Sequence, residues 1–201
     1  MAKRALKAIL ALLGVAATLT GAATSGSNSG PGTACHPGYE RVFEEWGDDG
    51  EYVAVPNGAF ESLSGWTLEG GARSVGGNEP FYVSSNNDSH SLSLPSGSSA
   101  VSPPLCTSLF RPKIRLFATN TGATTVGLKV EATTYVLGVR QTATIGYLSA
   151  GAGWQPTAAL PFLEDLADDT IGTVSFRFTP VGVGSGWRID DVYVDYPFKD
   201  R

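Results

Sequence analysis

Apolar and polar residues alternate with a period of two in many short runs after Tyr52. In residues 90–94, Leu92 and Leu94 alternate with serines, and in residues 172–180 apolar residues alternate with polar ones. Successive side chains of a strand point to opposite faces, so this alternation predicts strands with one buried and one exposed face. Clusters of Gly, Pro, Asn and Ser separate the runs and predict turns between them.

The predicted strands lie in residues 52–57, 66–75, 80–85, 90–94, 99–105, 113–120, 124–136, 140–148, 154–162, 172–180 and 187–196. No helical runs alternate with them, and only the acidic residues 163–170 are typical of a helical turn. Short strands without crossover helices predict an all-β antiparallel sandwich of about eight to ten strands. The same pattern disfavours a doubly wound sheet.

The last predicted strand changes phase at two adjacent carboxylates, Asp190 and Asp191. Apolar residues before the pair fall on odd positions, and those after it fall on even positions. Either a bulge inserts one extra residue there, or both faces of the strand are partly covered. Both alternatives bring a carboxylate close to the protein body, where an unpaired charge is costly. The carboxylate therefore requires an arginine, a set of backbone N–H groups or a metal ion.

The first 23 residues form a separate segment. Lys3, Arg4 and Lys7 precede an apolar run that ends in small residues, which is the pattern of a secretory signal peptide. The run is too short and too rich in Ala, Gly and Thr for a membrane span. A Gly/Ser-rich linker follows in residues 24–34. We therefore expect a secreted, extracellular protein without a transmembrane segment after cleavage.

An aromatic arm, residues 35–51, precedes the domain that we place in residues 52–201. Tyr39, Phe43 and Trp46 are spaced four and three apart, which predicts one face of a short helix packed on the domain. The clustered acids of the arm are predicted to form its solvated side: Glu44, Glu45, Asp48 and Asp49.

The two cysteines of the chain are Cys35, in the arm, and Cys106. In an exported protein such a pair predicts a disulfide, here across a loop of about seventy residues. The bridge would fasten the arm to the domain. The alternative is two free thiols.

The charge balance limits the partners. The chain of 201 residues carries a formal net charge of −5, which becomes −8 when Lys3, Arg4 and Lys7 are removed with the signal peptide. Nucleic acid and anionic membrane surfaces both favour a basic face, so neither is an expected partner. Cations and neutral glycans are compatible with the charge.

The chain offers little for catalysis. It has two histidines, and it lacks a Gly-x-Ser-x-Gly elbow, a His-Glu-x-x-His motif, a phosphate-cradling loop and a Cys-x-x-Cys pair. Two carboxylates could still act as acid and base in a hydrolase, but a chain with 19 acids pairs some of them by chance. We therefore expect a non-catalytic protein, with a carboxylate-based hydrolase as an open alternative.

Two segments carry a family resemblance. The first contains Asn57, Gly58, Phe60, Glu61, Gly65 and Trp66, and the second runs from Ile189 to Val192. Together they resemble the opening and closing segments of galactose-binding-like jelly-roll domains, particularly the calcium-containing carbohydrate-binding modules. The resemblance covers about residues 52–196 and implies a jelly-roll sandwich with its first and last strands side by side. The arm with its cysteine, residues 150–156 and the terminal segment are also similar to a group of exported actinobacterial proteins of unassigned function.

The resemblance also implies a structural calcium ion between the two terminal strands. Carried over to this sequence, its ligands would be the Ala59 carbonyl, Glu61, one of Asp190 and Asp191, and a loop residue such as Asp88. Calcium prefers six to eight oxygen ligands in flexible geometry, which such a set can supply. The alternative is a metal-free network in which Asp191 pairs with Arg188 or Arg177.

Sugar binding is the function that the resemblance implies. Sugars stack on exposed aromatic rings and bond to polar side chains. The candidate residues after the midpoint of the chain are Tyr135, Tyr147, Arg140, Gln141 and Gln155, with Phe81 and Tyr82 in a loop before a strand. The expected partner is a polysaccharide or a cell-wall glycan. The alternative function is a structural or protein-interaction module of the cell surface without a sugar site.

Overall fold

The structure is a computed structural model that describes residues 38–108, 112–123, 127–136, 138–162 and 171–195. The predicted signal peptide, the linker, Cys35 and the predicted helical turn at 163–170 lie outside these residues. Within the described residues no helix is long and apolar enough to cross a membrane.

Strands dominate the described chain, after one short 3-10 helix at Glu44–Trp46. The strands are β1 (Tyr52–Ala54), β2 (Thr67–Glu69), β3 (Arg73–Gly76), β4 (His90–Pro95), β5 (Ser99–Val101), β6 (Leu105–Ser108), β7 (Lys113–Asn120), β8 (Leu128–Val136), β9 (Val139–Leu148), β10 (Gln155–Pro156), β11 (Leu160–Pro161), β12 (Ile171–Pro180) and β13 (Gly186–Asp195). Several of them are only two or three residues long, which is why the described strands outnumber the eight to ten predicted.

Two antiparallel sheets form the sandwich. Sheet 1 has the order β10-β7-β13-β4-β3, with β1 also paired to β13 and β11 to β7. Sheet 2 has the order β2-β5-β12-β8-β9, with β6 also paired to β12. The chain crosses repeatedly between the sheets, and β1 lies beside β13, so the first and last strands are neighbours as expected. The predicted jelly-roll sandwich is confirmed.

The main core lies between the two sheets. On β7 it receives Ile114, Leu116 and Ala118, and on β12 it receives Val174, Phe176 and Phe178. These are the apolar positions of the period-two pattern, and their burial is the principal stabilising contribution to the sandwich. The intervening residues of both strands point away from this core.

A second cluster lies on the outer face of sheet 1, beneath the arm. Phe43 of the arm packs there against Tyr52, Phe117 and Tyr193, with Trp46 at its side. The rings of Phe43 and Phe117 are stacked with centroids 5.5 Å apart. Tyr39, by contrast, packs against the main core. All three aromatics thus contact the domain, but the predicted helical face is wrong, because the helix spans only Glu44–Trp46 and Tyr39 lies before it.

Several details differ from the sequence predictions, and residues 99–105 and 154–162 each divide between two strands where one was predicted. Residues 80–85 form a loop because turns, not ladder bonds, hold this segment. Residues 66–75 contain two strands, and β2 and β3 join different sheets across a glycine turn. Asp48 is only partly exposed, and it accepts hydrogen bonds from Tyr52 at 2.7 Å and from Arg115 at 2.7 Å.

Candidate functional site

The phase change in β13 is a β-bulge. The register of β13 against β7 shifts between Asp190 and Tyr193, and Asp191 has a φ of 47°. Ile189 and Val192, on the two sides of the bulge, both enter the main core. The bulge thus keeps the apolar residues inward while it turns both aspartates into the protein.

The bulge creates a buried group of acids. Asp190 and Asp191 are 0% and 1% exposed, and Glu79, from the loop before β4, is also 0% exposed. Asp190 accepts hydrogen bonds from the backbone N–H of Glu79 at 3.2 Å and of Asp191 at 3.0 Å. Asp191 accepts one from the N–H of Ser84 at 3.3 Å. Backbone donors are therefore the main partners of these carboxylates.

The arginines named in the metal-free alternative bond elsewhere. Arg188 donates to the hydroxyl of Ser91 at 2.6 Å and to backbone carbonyls, while Arg177 donates to Glu69 at 3.0 Å. Burial and the charge of Asp191 raise the pKa of Asp190 to about 9. Burial and the charge of Glu79 raise the pKa of Asp191 to about 7. Both carboxyls therefore retain protons at pH values where an exposed aspartate is ionised, and ionising them fully would require a partner that offsets their charge.

Three oxygens near this group have no hydrogen-bond partner. They are Oδ1 of Asp191, Oδ2 of Asp88 and Oδ1 of Asn78, and all three are buried atoms. Asp88 lies close enough to Asp191 and to Glu79 to interact electrostatically with both, so the three carboxyl groups belong to one region. Buried oxygens without partners in a negative environment fit the chemistry of a hard cation such as calcium.

Glu61 and Ala59 lie beside this group. Glu61 accepts hydrogen bonds from the backbone of Ser89 and His90, and its charge acts on Asp88. Partial burial raises the pKa of Glu61, but these hydrogen bonds outweigh it and bring the pKa to about 2. Ala59 follows Gly58, whose carbonyl accepts the N–H of Val192 at 3.2 Å. Within the described chain, no three His, Cys, Asp or Glu side chains form a metal-binding group by themselves.

Buried acids with raised pKa values are also a feature of hydrolases. Here Glu79, Asp190 and Asp191 are closed to solvent, so a substrate bond cannot reach their oxygens. General acid catalysis requires hydrogen-bond contact with the reacting group. The acid group therefore has no access to a substrate.

Sheet 2 presents its outer face at β8 and β9. Tyr135 is paired with Arg140 and Lys129 with Tyr147, so the four side chains share this face. The side chains of Tyr135 and Tyr147 are 54% and 57% exposed. Tyr147 lies opposite Lys129, six residues before Tyr135 on β8, so the two tyrosines are about 20 Å apart along the sheet. We call this surface the outer face of sheet 2.

The middle of the outer face is polar. Thr133 and Thr142 lie opposite each other with their hydroxyl oxygens 2.9 Å apart. Glu131 forms an ion pair with Lys129 at 3.1 Å. The next strand adds Arg177, opposite Glu131. The face thus combines two exposed aromatic rings with hydrogen-bonding groups between them.

The predicted ligand residues Gln141 and Gln155 do not belong to this face. Gln141 is paired with Thr134, a buried inward residue, so it points to the opposite side of the edge strand. Gln155 lies on β10, in sheet 1. Sequence spacing could not separate them, because strand direction and sheet membership are tertiary properties.

Several site residues were missed by the sequence patterns. Glu79 and Asn78 lie in a loop without periodicity, and Lys129, Glu131 and Arg177 are ordinary outward residues of strands. Only the Gly77 and Pro80 turn signals beside the loop marked its position. Glu79 is buried because its loop packs against β13, more than one hundred residues later, and no pattern in the neighbouring sequence predicts that contact.

No protein-family model and no curated protein matches this sequence. Among solved structures, it is similar to the module TmCBM61 in complex with β-1,4-galactotriose, at 12% identity and a TM-score of 0.42, over 72% of this chain and 99% of that one. It is also similar to the CBM22-1 xylan-binding domain from Paenibacillus barcinonensis, at 9% identity and a TM-score of 0.41, over 72% and 91% of the two chains.

A third similar structure is the enzymatically active domain of bacteriophage CBA120 tailspike protein 4. It is 20% identical with a TM-score of 0.44, and the match covers 71% of this chain but 21% of that one. Similarities this low carry no argument about the ligand of this chain. The fold itself follows from the strand order described above.

Proposed function

We propose that this protein is an exported, non-catalytic β-sandwich that binds a polysaccharide or a glycan of the cell envelope on the outer face of sheet 2. The observation that carries the proposal is the placement of Tyr135, Tyr147 and Arg140 on one face of two adjacent strands. Exposed tyrosine rings offer an apolar face on which a sugar ring can stack and a hydroxyl that can form hydrogen bonds.

The polar centre of the face supports a sugar chain as the ligand. Thr133, Thr142, Glu131 and Lys129 offer donors and acceptors between the two rings. Two rings about 20 Å apart favour a polymer over a single sugar. A network of hydroxyls and charged groups suits a ligand that is itself covered with hydroxyls.

Retention on insoluble polysaccharides tests the proposal. Residues 24–201 are incubated with several polysaccharides and with purified bacterial cell walls, and protein in the pellet is measured. We expect saturable retention on one polymer. Y135A and Y147A should each weaken retention about fivefold or more, as truncation of an aromatic anchor does. Tyr82, 46% exposed in a loop, supplies the control variant Y82A, which should bind normally.

A protein-interaction module is the second candidate. It is favoured by the pairing of Thr133 with Thr142 and of Glu131 with Lys129, because these groups already bond to each other and leave fewer donors and acceptors for a sugar. Absence of retention on every polymer would overturn the glycan proposal and favour this candidate. Retention unchanged in Y135A and Y147A would instead overturn the assignment to this face.

We also propose a structural calcium ion at the β13 bulge, held by the unpartnered oxygens of Asp191, Asp88 and Asn78, with the Ala59 carbonyl and Glu61 beside them. Support comes from the buried oxygens without partners and from the cost of ionising Asp191 at this position, which a bound cation would remove. A bound calcium would join the β13 bulge to the loop before β4. Chelation should lower the melting temperature and added calcium should restore it, whereas magnesium at equal concentration should not. An unchanged melt would contradict the proposal.

A further inference from the structure

A pocket lies between the arm and the loop before β4. Its volume is about 520 Å³. The walls are formed by Trp46, Phe81 and Val83, and the rim by Glu40, Glu44 and Glu45. We call it the arm pocket. Its volume is within the range of small-molecule sites, roughly 300–1,000 Å³, and suits one or two rings of a sugar chain better than an extended peptide.

The aromatic wall of the arm pocket is firmly supported. The rings of Trp46 and Phe81 meet edge to face with centroids 5.1 Å apart, and both rest on Phe117 at 5.2 and 5.5 Å. The buried Glu79 carboxylate accepts the backbone N–H groups of Phe81 and Val83, the latter at 2.8 Å. The wall is therefore preformed, although Phe81 stays 43% exposed to solvent.

The rim of the arm pocket is acidic. Glu40, Glu44 and Glu45 are exposed, and none of their carboxylates forms an ion pair among the described residues. Among the described residues that line the pocket, the cationic side chain is Arg41, which lies 4.0 Å from Glu51, a residue outside the lining. Aromatic rings and free carboxylates together attract an organic cation and disfavour an anion.

The arm pocket is on the opposite side of the sandwich from the outer face of sheet 2. The arm covers the outer face of sheet 1, where Phe117 and Tyr193 point away from the main core. A ligand in the pocket therefore shares no contact with Tyr135 or Tyr147. The two surfaces can be tested separately.

We propose that the arm pocket binds a protonated amino sugar of a glycan, with a sugar ring against Trp46 and Phe81 and its ammonium group among Glu40, Glu44 and Glu45. This assignment rests on the proposed glycan-binding function and adds the class of sugar. A net charge of −8 on the chain without its signal peptide favours the approach of a cationic glycan. Acetylation of the amine would remove the attraction.

Calorimetry with matched oligosaccharides tests the proposal. Residues 24–201 are titrated with a glucosamine hexamer, whose amines can be protonated, and with its fully N-acetylated counterpart, whose amides carry no charge. We expect the glucosamine hexamer to bind at least about tenfold more tightly, and more weakly in high salt. The double variant E44Q/E45Q should lose about tenfold in affinity, because it removes two of the three carboxylates that attract the ammonium group. Both side chains are exposed, so the variant should fold normally.

Two further variants complete the test. D49N changes an exposed acid of the arm outside the pocket and should bind normally. Y135A/Y147A should also bind the hexamer normally. Equal binding of both hexamers, or no binding of the glucosamine hexamer, would overturn the arm pocket proposal, as would loss of binding in Y135A/Y147A. Tighter binding of trilysine would overturn the assignment to a sugar. The proposed function is tested by retention on polysaccharides, so failure of the arm pocket proposal can be distinguished from failure of the proposed function.

Discussion

At the scale of single residues, Asp191 and its neighbour Asp190 make the stability of the fold depend on pH. In calcium-free buffer, burial holds its pKa and that of Asp190 well above the ordinary value of 3.8. The folded state then keeps protons that the unfolded state releases, so the contribution of this pair to stability falls as pH rises from about 4 to about 9. Denaturant unfolding at pH 5, 7 and 9 with chelator measures this dependence.

D191N isolates this contribution from the other carboxylates. Asparagine keeps the shape but carries no charge, so in chelator the variant should gain stability relative to the wild type as pH rises. With calcium present the sign should reverse, because the variant loses a carboxylate ligand while the wild type is stabilised by the ion. A variant that is less stable than the wild type at every pH in chelator would contradict this account.

At the scale of elements, Asp48 fastens the arm to the sandwich. It accepts hydrogen bonds from Tyr52, Gly50 and Arg115, which outweigh burial and lower its pKa. Arg115 has a side chain 11% exposed, so D48A would leave its charge poorly compensated. We expect D48A to lose about 2 kcal/mol of unfolding free energy, measured in urea. D49A, at the exposed neighbouring acid, should change it by less than about 0.5 kcal/mol, and an equal loss in both variants would contradict the role of Asp48.

The elements themselves were largely predictable from the sequence. Residues 113–120 form β7 with the predicted inward residues, because alternation and flanking turns act locally. The bulge in β13 was visible as a change of phase. The loop at 80–85 was mistaken for a strand, since its apolar residues serve the arm pocket and the second cluster. Apolar residues buried by a loop and apolar residues buried by a strand look alike in the sequence, so the pattern could not tell them apart.

At the scale of the whole molecule, the site was predictable only in part. The sequence placed Tyr135 and Tyr147 among the ligand residues, and their shared face followed only once the pairing of β8 and β9 was known. It grouped Gln155 with them although that residue lies in the other sheet. The register and the layer of a strand depend on long-range contacts, so residue type alone could not select the members of the face.

The Cys35–Cys106 bridge remains a prediction at this scale, because Cys35 lies outside the described residues. A bridge across about seventy residues would restrict the unfolded chain and contribute on the order of 4 kcal/mol. We therefore expect reduction to lower the melting temperature markedly, with an equal effect in the double variant C35S/C106S. Mass measurement after alkylation without reductant checks the pairing directly: no alkyl groups should add. Two alkyl groups would mean free thiols, and the arm would then be held by Phe43, Trp46 and Asp48 alone.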